Sequence, residues 1–218
     1  MYKILALNSM ISAYSMSTLW LDGVKNGDFQ MTMLGMAMGV LFLLISLSKP
    51  LDNLSKLRPP KSIFSPSIVL SVVLQFIFHF ITLVYIVSAT DPFIHRDEST
   101  EPDTDFKPNL KNNVVFLYSW CMAATTFLVN YEGAPFMQSF KENSKLFKGI
   151  MAMYVIALVA ILDFSESIRY NLELVPFPDS TIQIKIIVAL TLDTFLCIVC
   201  CGTIKFISRK IQLASQSN

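Results

Sequence analysis

Hydrophobic residues occur in six long blocks along the chain, separated by shorter polar segments. Blocks of about 18 to 22 apolar residues can cross a hydrocarbon layer of roughly 30 Å as α-helices. The chain is 53% hydrophobic and 15% charged, whereas soluble domains carry about a quarter charged residues. The pattern therefore predicts an all-α membrane protein with six transmembrane helices, spanning about 4–21, 29–47, 68–88, 114–130, 146–162 and 182–203.

Basic residues are unevenly divided between the two sides that six crossings would create. Of the 17 Lys and Arg residues, eleven lie near the termini or in and next to the segments 49–67 and 131–145, and six lie in or next to the other three loops. Most acidic residues lie in those other loops, above all in the segment 89–113. Lys and Arg accumulate on the cytoplasmic side, so both termini are predicted to be cytosolic. The sequon Asn53-Leu54-Ser55 would then escape glycosylation.

The composition excludes several other classes of function. A net charge of +1 gives no general field that would attract nucleic acid. With only His79 and His95 as histidines, and all the cysteines within apolar blocks, neither a metal site nor a disulfide framework is predicted. No P-loop, zinc-protease or serine-hydrolase motif is present, so we assign no catalytic residue and no cofactor to this chain itself.

Polar residues in the third block recur at helical spacing. Ser71, Gln75, His79 and Thr82 follow one another at intervals of four, four and three, which aligns them on one helix face. Such groups either hydrogen-bond neighbouring helices or face a substrate pathway. Helix packing is the preferred interpretation, and a substrate-facing role is the alternative.

The first two blocks contain weaker polar features. Asn8, Ser12 and Ser15 form a similar stripe that reaches Asp22 at its far end, with the same two interpretations. In the second block, Gly35 and Gly39 have the G-x-x-x-G spacing that permits close helix approach. This motif is weak by itself.

Asp193 is the one acidic residue deep within a predicted span. An unpaired carboxylate there is unfavourable by at least about 2.5 kcal/mol. We expect a structural partner, His79 or a neighbouring hydroxyl, and an ion or proton site is the alternative.

An ordered series of motifs resembles one known family. The series includes Asp28-Phe29-Gln30, Ile45-Ser46-Leu47-Ser48-Lys49-Pro50-Leu51, Gln75-Phe76 with His79-Phe80, Asn130-Tyr131 with Pro135-Phe136-Met137, and Leu192-Asp193. It covers nearly the whole chain and is similar to the class V, subgroup A P-type ATPases, the transmembrane-helix dislocases of the endoplasmic reticulum.

The resemblance implies that residues 1–218 are a C-terminal transmembrane domain, equivalent to core helices five to ten of such a pump. The family's phosphorylated aspartate and nucleotide-binding region would lie upstream, so the chain is expected to be a fragment or truncated form that is inactive alone. ATP and magnesium would belong to the parent protein. Its expected partners are the bilayer, the upstream part of the same ATPase, and transmembrane helices with basic luminal flanks. The resemblance makes Asn8, Ser12, Ser15, Asp22 and Asp28 candidates for the substrate-facing wall.

Two other functions compete with this interpretation. A self-contained six-span channel or transporter could use His79 and Asp193 as an ion or proton relay. A cation-transporting P-type ATPase would normally place carboxylates within its first two spans here, and none lies between Ile4 and Leu21 or between Phe29 and Leu47.

Overall fold

The computed structural model describes residues 1–52, 55, 57–60, 62–93 and 106–217. Within these ranges the chain forms seven α-helices and one short 3-10 turn at Asp91–Phe93. The helices are α1 (Tyr2–Trp20), α2 (Asp28–Ser46), α3 (Pro66–Thr90), α4 (Leu110–Asn130), α5 (Ser144–Ile161), α6 (Glu166–Asn171) and α7 (Ser180–Ser217). The sequon residue Asn53 and the acidic stretch 94–105, on which two predictions rest, lie outside the described residues.

Five helices are long and apolar enough to cross a membrane, which confirms the class of an all-α membrane protein. They are α2, α3 with the turn that follows it, α4, α5 and most of α7. Helix α1 has 19 residues but is not among the five, because Asn8 and several serines interrupt its apolar sequence. The count of six spans therefore stays a prediction.

The helix boundaries differ most from the prediction at the end of the chain. The last helix does not end near Thr203 but continues to Ser217. The hydrophobic block ends at Thr203, but the segment from Lys205 to Gln216 includes no proline or glycine that would stop a helix. The short helix α6 in the loop before α7 has no hydrophobic block and was not predicted.

Helix α4 forms the centre of the bundle. It packs against α1, α2, α3, α5 and α7, and most of its side chains are buried. Its middle contains Cys121, Ala123, Ala124, Thr125 and Thr126, and small side chains of this kind let neighbouring helices approach closely.

Contacts at the ends of the bundle show which loops lie together. At one end Lys3 Nζ lies 3.3 Å from Glu132 Oε1, and the backbone N–H of Gln138 donates to the carbonyl oxygen of Lys49 at 2.9 Å. At the other end, Lys111 forms an ion pair with Asp22. Helix α1 therefore runs antiparallel to α4 along its whole length. This arrangement supports six crossings with both termini at one end.

Candidate functional site

The polar stripe on α3 faces the interior of the bundle. Ser71, Gln75, His79 and Thr82 are all buried, and α3 packs most extensively against α7, with α1 and α4 as further neighbours. Between Val69 and Val84 the exposed side chains on α3 are all apolar, among them Val73 and Ile77. The helix thus presents its polar face to protein and its apolar face to lipid, as the absence of water in a bilayer core requires.

The centre of the stripe is a hydrogen-bonded group around Asp193. Nδ1 of His79 lies 2.8 Å from Oδ2 of Asp193, and the Thr82 hydroxyl donates to Oδ1 at 3.1 Å. From α4, the hydroxyl of Tyr118 donates to the carbonyl oxygen of His79 at 2.8 Å. Both expected kinds of partner, the histidine and a hydroxyl, are therefore in contact with the carboxylate. The choice between a structural and an ion-binding role stays open.

A cysteine that the sequence analysis did not assign also lies at this group. Sγ of Cys197 is 4.0 Å from His79 Nε2 and 4.0 Å from Asp193 Oδ2. The three side chains offer ligand atoms within 4.8 Å of one another. Our prediction of no metal site rested on the scarcity of histidines and on the position of the cysteines in apolar blocks. It did not consider that Asp193 and Cys197, four residues apart, share one face of α7. Chemically, the histidine and carboxylate could exchange a proton.

A second interhelical contact joins the stripe to the end of α4. The amide of Gln75 donates to Asn130 Oδ1 at 3.2 Å, and Asn130 donates back to Gln75 Oε1 at 2.8 Å. Gln75 also donates to the carbonyl oxygen of Ser71 at 2.9 Å. The two amides satisfy each other in a buried environment. Asn130 was seen in the sequence only as part of a motif and not as a partner of the stripe.

The stripe on α1 lies largely against α4. Asn8 donates to the hydroxyl of Thr126 at 2.9 Å, and Ser15 accepts from the hydroxyl of Ser119 at 3.2 Å. Both Asn8 and Ser15 are buried, whereas Ser12 is only partly buried. In this chain the two buried members therefore make helix contacts.

The two acidic candidates lie at the ends of their helices. Asp22 lies just after α1, and about half of its side chain is exposed. It forms the ion pair with Lys111, which is buried. Asp28 is the first residue of α2 and is exposed. The candidates Asn8, Ser12, Ser15, Asp22 and Asp28 thus follow α1 and the start of α2 without forming one pocket, and their substrate-facing role stays a prediction.

Buried amides connect the start of α2 to the loop before α7. Gln30 donates to Asn112 Oδ1 at 3.0 Å and to the carbonyl oxygen of Leu172 at 2.9 Å. Asn113 donates to the carbonyl oxygen of Val175 at 2.6 Å. The chain is also closely packed at Gly27, just before α2, where an added Cβ would lie 2.7 Å from Glu173 Oε2 and 3.0 Å from the ring of Phe106. These contacts were not predicted, since the partners are far apart in sequence.

A charged cluster lies at the opposite end of the bundle. Glu132 accepts from Lys3, and Lys205 Nζ lies 3.6 Å from the same carboxylate oxygen. Burial alone would raise the pKa of Glu132, but the nearby Lys205 and Lys3 outweigh it and lower the pKa below its ordinary value. The carboxylate is therefore ionised at neutral pH.

Comparison with known proteins gives the class of this chain. No family model matches it. The chain is 37% identical over 199 residues to the endoplasmic reticulum transmembrane helix translocase of Schizosaccharomyces pombe, covering 90% of this chain. It is 38% identical over 195 residues to the protein of that name from Saccharomyces cerevisiae, covering 89%. It is also 39% identical over 197 residues to a probable manganese-transporting ATPase of Arabidopsis thaliana, covering 90%. The chain spans 16% of the length of each of these relatives.

The helices and the buried polar network thus define a polytopic α-helical membrane protein. The chain belongs to the P-type ATPase family that includes the endoplasmic reticulum transmembrane helix translocases. The resemblance stated from the motifs is confirmed at the level of the family.

Proposed function

We propose that residues 1–218 are the C-terminal transmembrane domain of an ATP-driven pump that extracts mistargeted transmembrane helices from the endoplasmic reticulum membrane. The observation that carries this proposal is the similarity, over about nine-tenths of the chain, to relatives named transmembrane helix translocases. Since the chain spans only 16% of those relatives, the activity is proposed for a longer protein of which this chain is one part.

Under this proposal, ATP and magnesium are bound outside these residues. The sequence contains no nucleotide-binding motif, and the described polar groups lie within the bundle or at its ends. We expect the purified 218-residue chain to form no acid-stable phosphoenzyme with radioactive ATP, whereas the full-length parent should be labelled. Labelling of the isolated chain would contradict the proposal that ATP and magnesium are bound outside these residues.

The exposure of α2 favours contacts between this helix and further helices. Only 17% of its most apolar window is buried, and a Cβ added at Gly35 or Gly39 would meet nothing within 4 Å. Among the described residues, the close approach that the G-x-x-x-G spacing permits is therefore not made. We propose that this open face receives a helix from the upstream part of the same ATPase or from the substrate, and that Ser12, Asp22 and Asp28 adjoin the substrate path.

One observation favours cation transport as a second candidate. The Arabidopsis relative is named as a probable manganese transporter, and His79, Asp193 and Cys197 form a trio of possible ligands. Against this candidate, both oxygens of Asp193 already have partners. The described helices α1 and α2 also contain no carboxylate other than Asp28 at the exposed start of α2.

The decisive experiment uses the full-length parent in proteoliposomes. ATP hydrolysis is measured with a transmembrane peptide carrying basic luminal residues, with the same peptide carrying acidic residues, and with Mn²⁺ alone. We expect the basic peptide to stimulate most strongly, because the luminal loops are acidic. Stimulation and uptake with Mn²⁺, but none with peptides, would support the cation pump and contradict the helix translocase.

A further inference from the structure

A cavity of about 290 Å³ lies at the end of the bundle that carries both termini. Its wall includes Ser67 and Ile68 in the first turn of α3, Lys205 and Arg209 in the last part of α7, and Phe136 from the loop after α4. Small-molecule sites usually occupy about 300 to 1,000 Å³, so this cavity lies at the small end of that range and suits a compact group such as a phosphate ester.

The described residues that line this cavity carry an excess of positive charge. Counted by side chains, four are cations and one is a carboxylate: Lys3, Arg58, Lys205, Arg209 and Glu132. The carboxylate is already shared between Lys3 and Lys205, and Arg209 donates to the carbonyl oxygen of Ala134 at 3.0 Å. One carboxylate cannot neutralise four cations, so the lining has a surplus of three positive charges. This surplus suits an anion.

The remainder of the lining is largely apolar and lies at the boundary of the membrane. Ile68 begins the apolar run of α3, and Ile204 is its counterpart on α7. At the rim, Ile63 is 48% exposed, and the neighbouring Phe64 is 73% exposed. Exposed apolar side chains directly before a membrane-spanning helix suit the region where headgroups meet acyl chains. A soluble anion would use the cations but would gain nothing from this apolar wall.

We propose that this cavity binds the headgroup of an anionic phospholipid from the leaflet on the side of the termini. Arg58 and Arg209 contact the phosphate, since the planar guanidinium group matches phosphate oxygens in pairs, and Lys205 adds charge. The upper acyl carbons lie against Ile63 and Ile68. By the distribution of basic residues this leaflet is the cytosolic one, where anionic lipids attract basic residues.

The test uses the purified chain in detergent micelles that contain phosphatidylcholine. Phosphatidylserine or phosphatidylinositol is added, and binding is followed by native mass spectrometry and by the thermal unfolding midpoint. We expect one anionic phospholipid per chain and a higher midpoint. Each basic residue near an anionic surface contributes about fivefold in affinity, so Arg58→Gln with Arg209→Gln should weaken binding roughly thirtyfold.

A matched control removes the same charge elsewhere on the same end of the protein. Lys141→Gln with Lys145→Gln changes two exposed lysines that do not line the cavity, and its affinity should stay near that of the unmodified chain. Equal weakening in both double variants would mean general surface attraction and would overturn the proposal. A comparable shift with inorganic phosphate alone would identify a soluble anion as the ligand and would overturn it too.

A second variant tests the cavity without changing charge. Ser67→Trp places an indole ring in the space between α3 and α7, and we expect it to abolish the one-to-one phospholipid complex while the helical circular dichroism is retained. If the variant Arg58→Gln with Arg209→Gln fails to fold, the binding measured with Ser67→Trp tests the site by itself. A folded Ser67→Trp protein that still binds one anionic phospholipid would refute the site.

Discussion

Nδ1 of His79 lies 2.8 Å from Oδ2 of Asp193, and both side chains are completely enclosed within the bundle. The contact joins α3 to α7, which are separated by more than a hundred residues in the chain. The hydroxyl of Thr82 donates to the other carboxylate oxygen, Oδ1. Asp193 is therefore buried with a hydrogen-bond partner on each carboxylate oxygen, and removal of His79 should leave Oδ2 without this partner.

We predict that His79 and Asp193 are energetically coupled. His79→Leu should destabilise the chain by about 1 to 3 kcal/mol, because it leaves a buried carboxylate with an unmet partner. The double variant His79→Leu with Asp193→Leu should be destabilised by less than the sum of the single changes, with a coupling of about 0.5 to 3 kcal/mol. Reversible unfolding in detergent measures all four proteins.

A control for this cycle lies on the same helix. Thr191→Val removes an exposed hydroxyl that bonds only the carbonyl oxygen of Ile187 in its own helix, and it should change stability by no more than about 0.5 kcal/mol. Strict additivity of the His79 and Asp193 substitutions would show that their contact contributes nothing to stability.

We predict that the polar stripe on α3 serves helix packing more than substrate choice. In a full-length parent, Gln75→Leu with His79→Leu should lower abundance and thermal stability, because Asn130 and Asp193 lose their partners. The preference among transmembrane substrates, measured per folded molecule, should stay unchanged. Val73→Leu with Ile77→Leu, on the exposed face of the same helix, is the control and should be neutral. A stable stripe variant with altered substrate preference would reverse this assignment.

The direction of insertion can be tested with engineered glycosylation sites. We predict that both termini and the segment 49–67 face the cytosol, because eleven of the 17 Lys and Arg residues lie on that side of the predicted topology. An acceptor sequence placed between Ala89 and Asn113 should be glycosylated in microsomes, and one appended after Asn218 should not. Glycosylation after Asn218 but not between Ala89 and Asn113 would contradict the predicted topology.

We predict that Glu132 contributes to stability in a pH-dependent way. Although burial raises its pKa, Lys205 and Lys3 outweigh that effect, and its pKa in the folded chain lies below the ordinary value of 4.5. Its contribution is therefore present above about pH 4.5 and is lost as the pH falls through the folded-state pKa. Since half of the side chain is exposed, the contribution should be below about 1 kcal/mol.

The matched measurement for Glu132 compares the unmodified chain with Glu132→Gln. The unfolding midpoint should differ between the two at neutral pH, and the difference should shrink as the pH is lowered below about 4.5. Other carboxylates titrate in both proteins and cancel in this comparison. A difference that is constant across the range would show that the ion pairs of Glu132 do not stabilise the fold.

The sequence by itself determined the class of the protein and the position of most helices. Six blocks of apolar residues fixed the locations of α1 to α5 and the start of α7 to within a few residues, because the thickness of a bilayer sets the length of a crossing helix. Helical periodicity also indicated correctly that Ser71, Gln75, His79 and Thr82 share a face that is turned inward. These properties are local, so a single stretch of chain suffices to read them.

Only the tertiary structure decided which polar groups meet. Asn130 pairs with Gln75, Gln30 with Asn112, and Cys197 joins His79 and Asp193. The cationic cavity beside the end of α7 depends likewise on how α1, α3 and α7 pack. Helix pairing in a membrane is set by close side-chain packing and by hydrogen bonds between residues far apart in the chain, and hydrophobic periodicity contains no information about which distant helix supplies the partner.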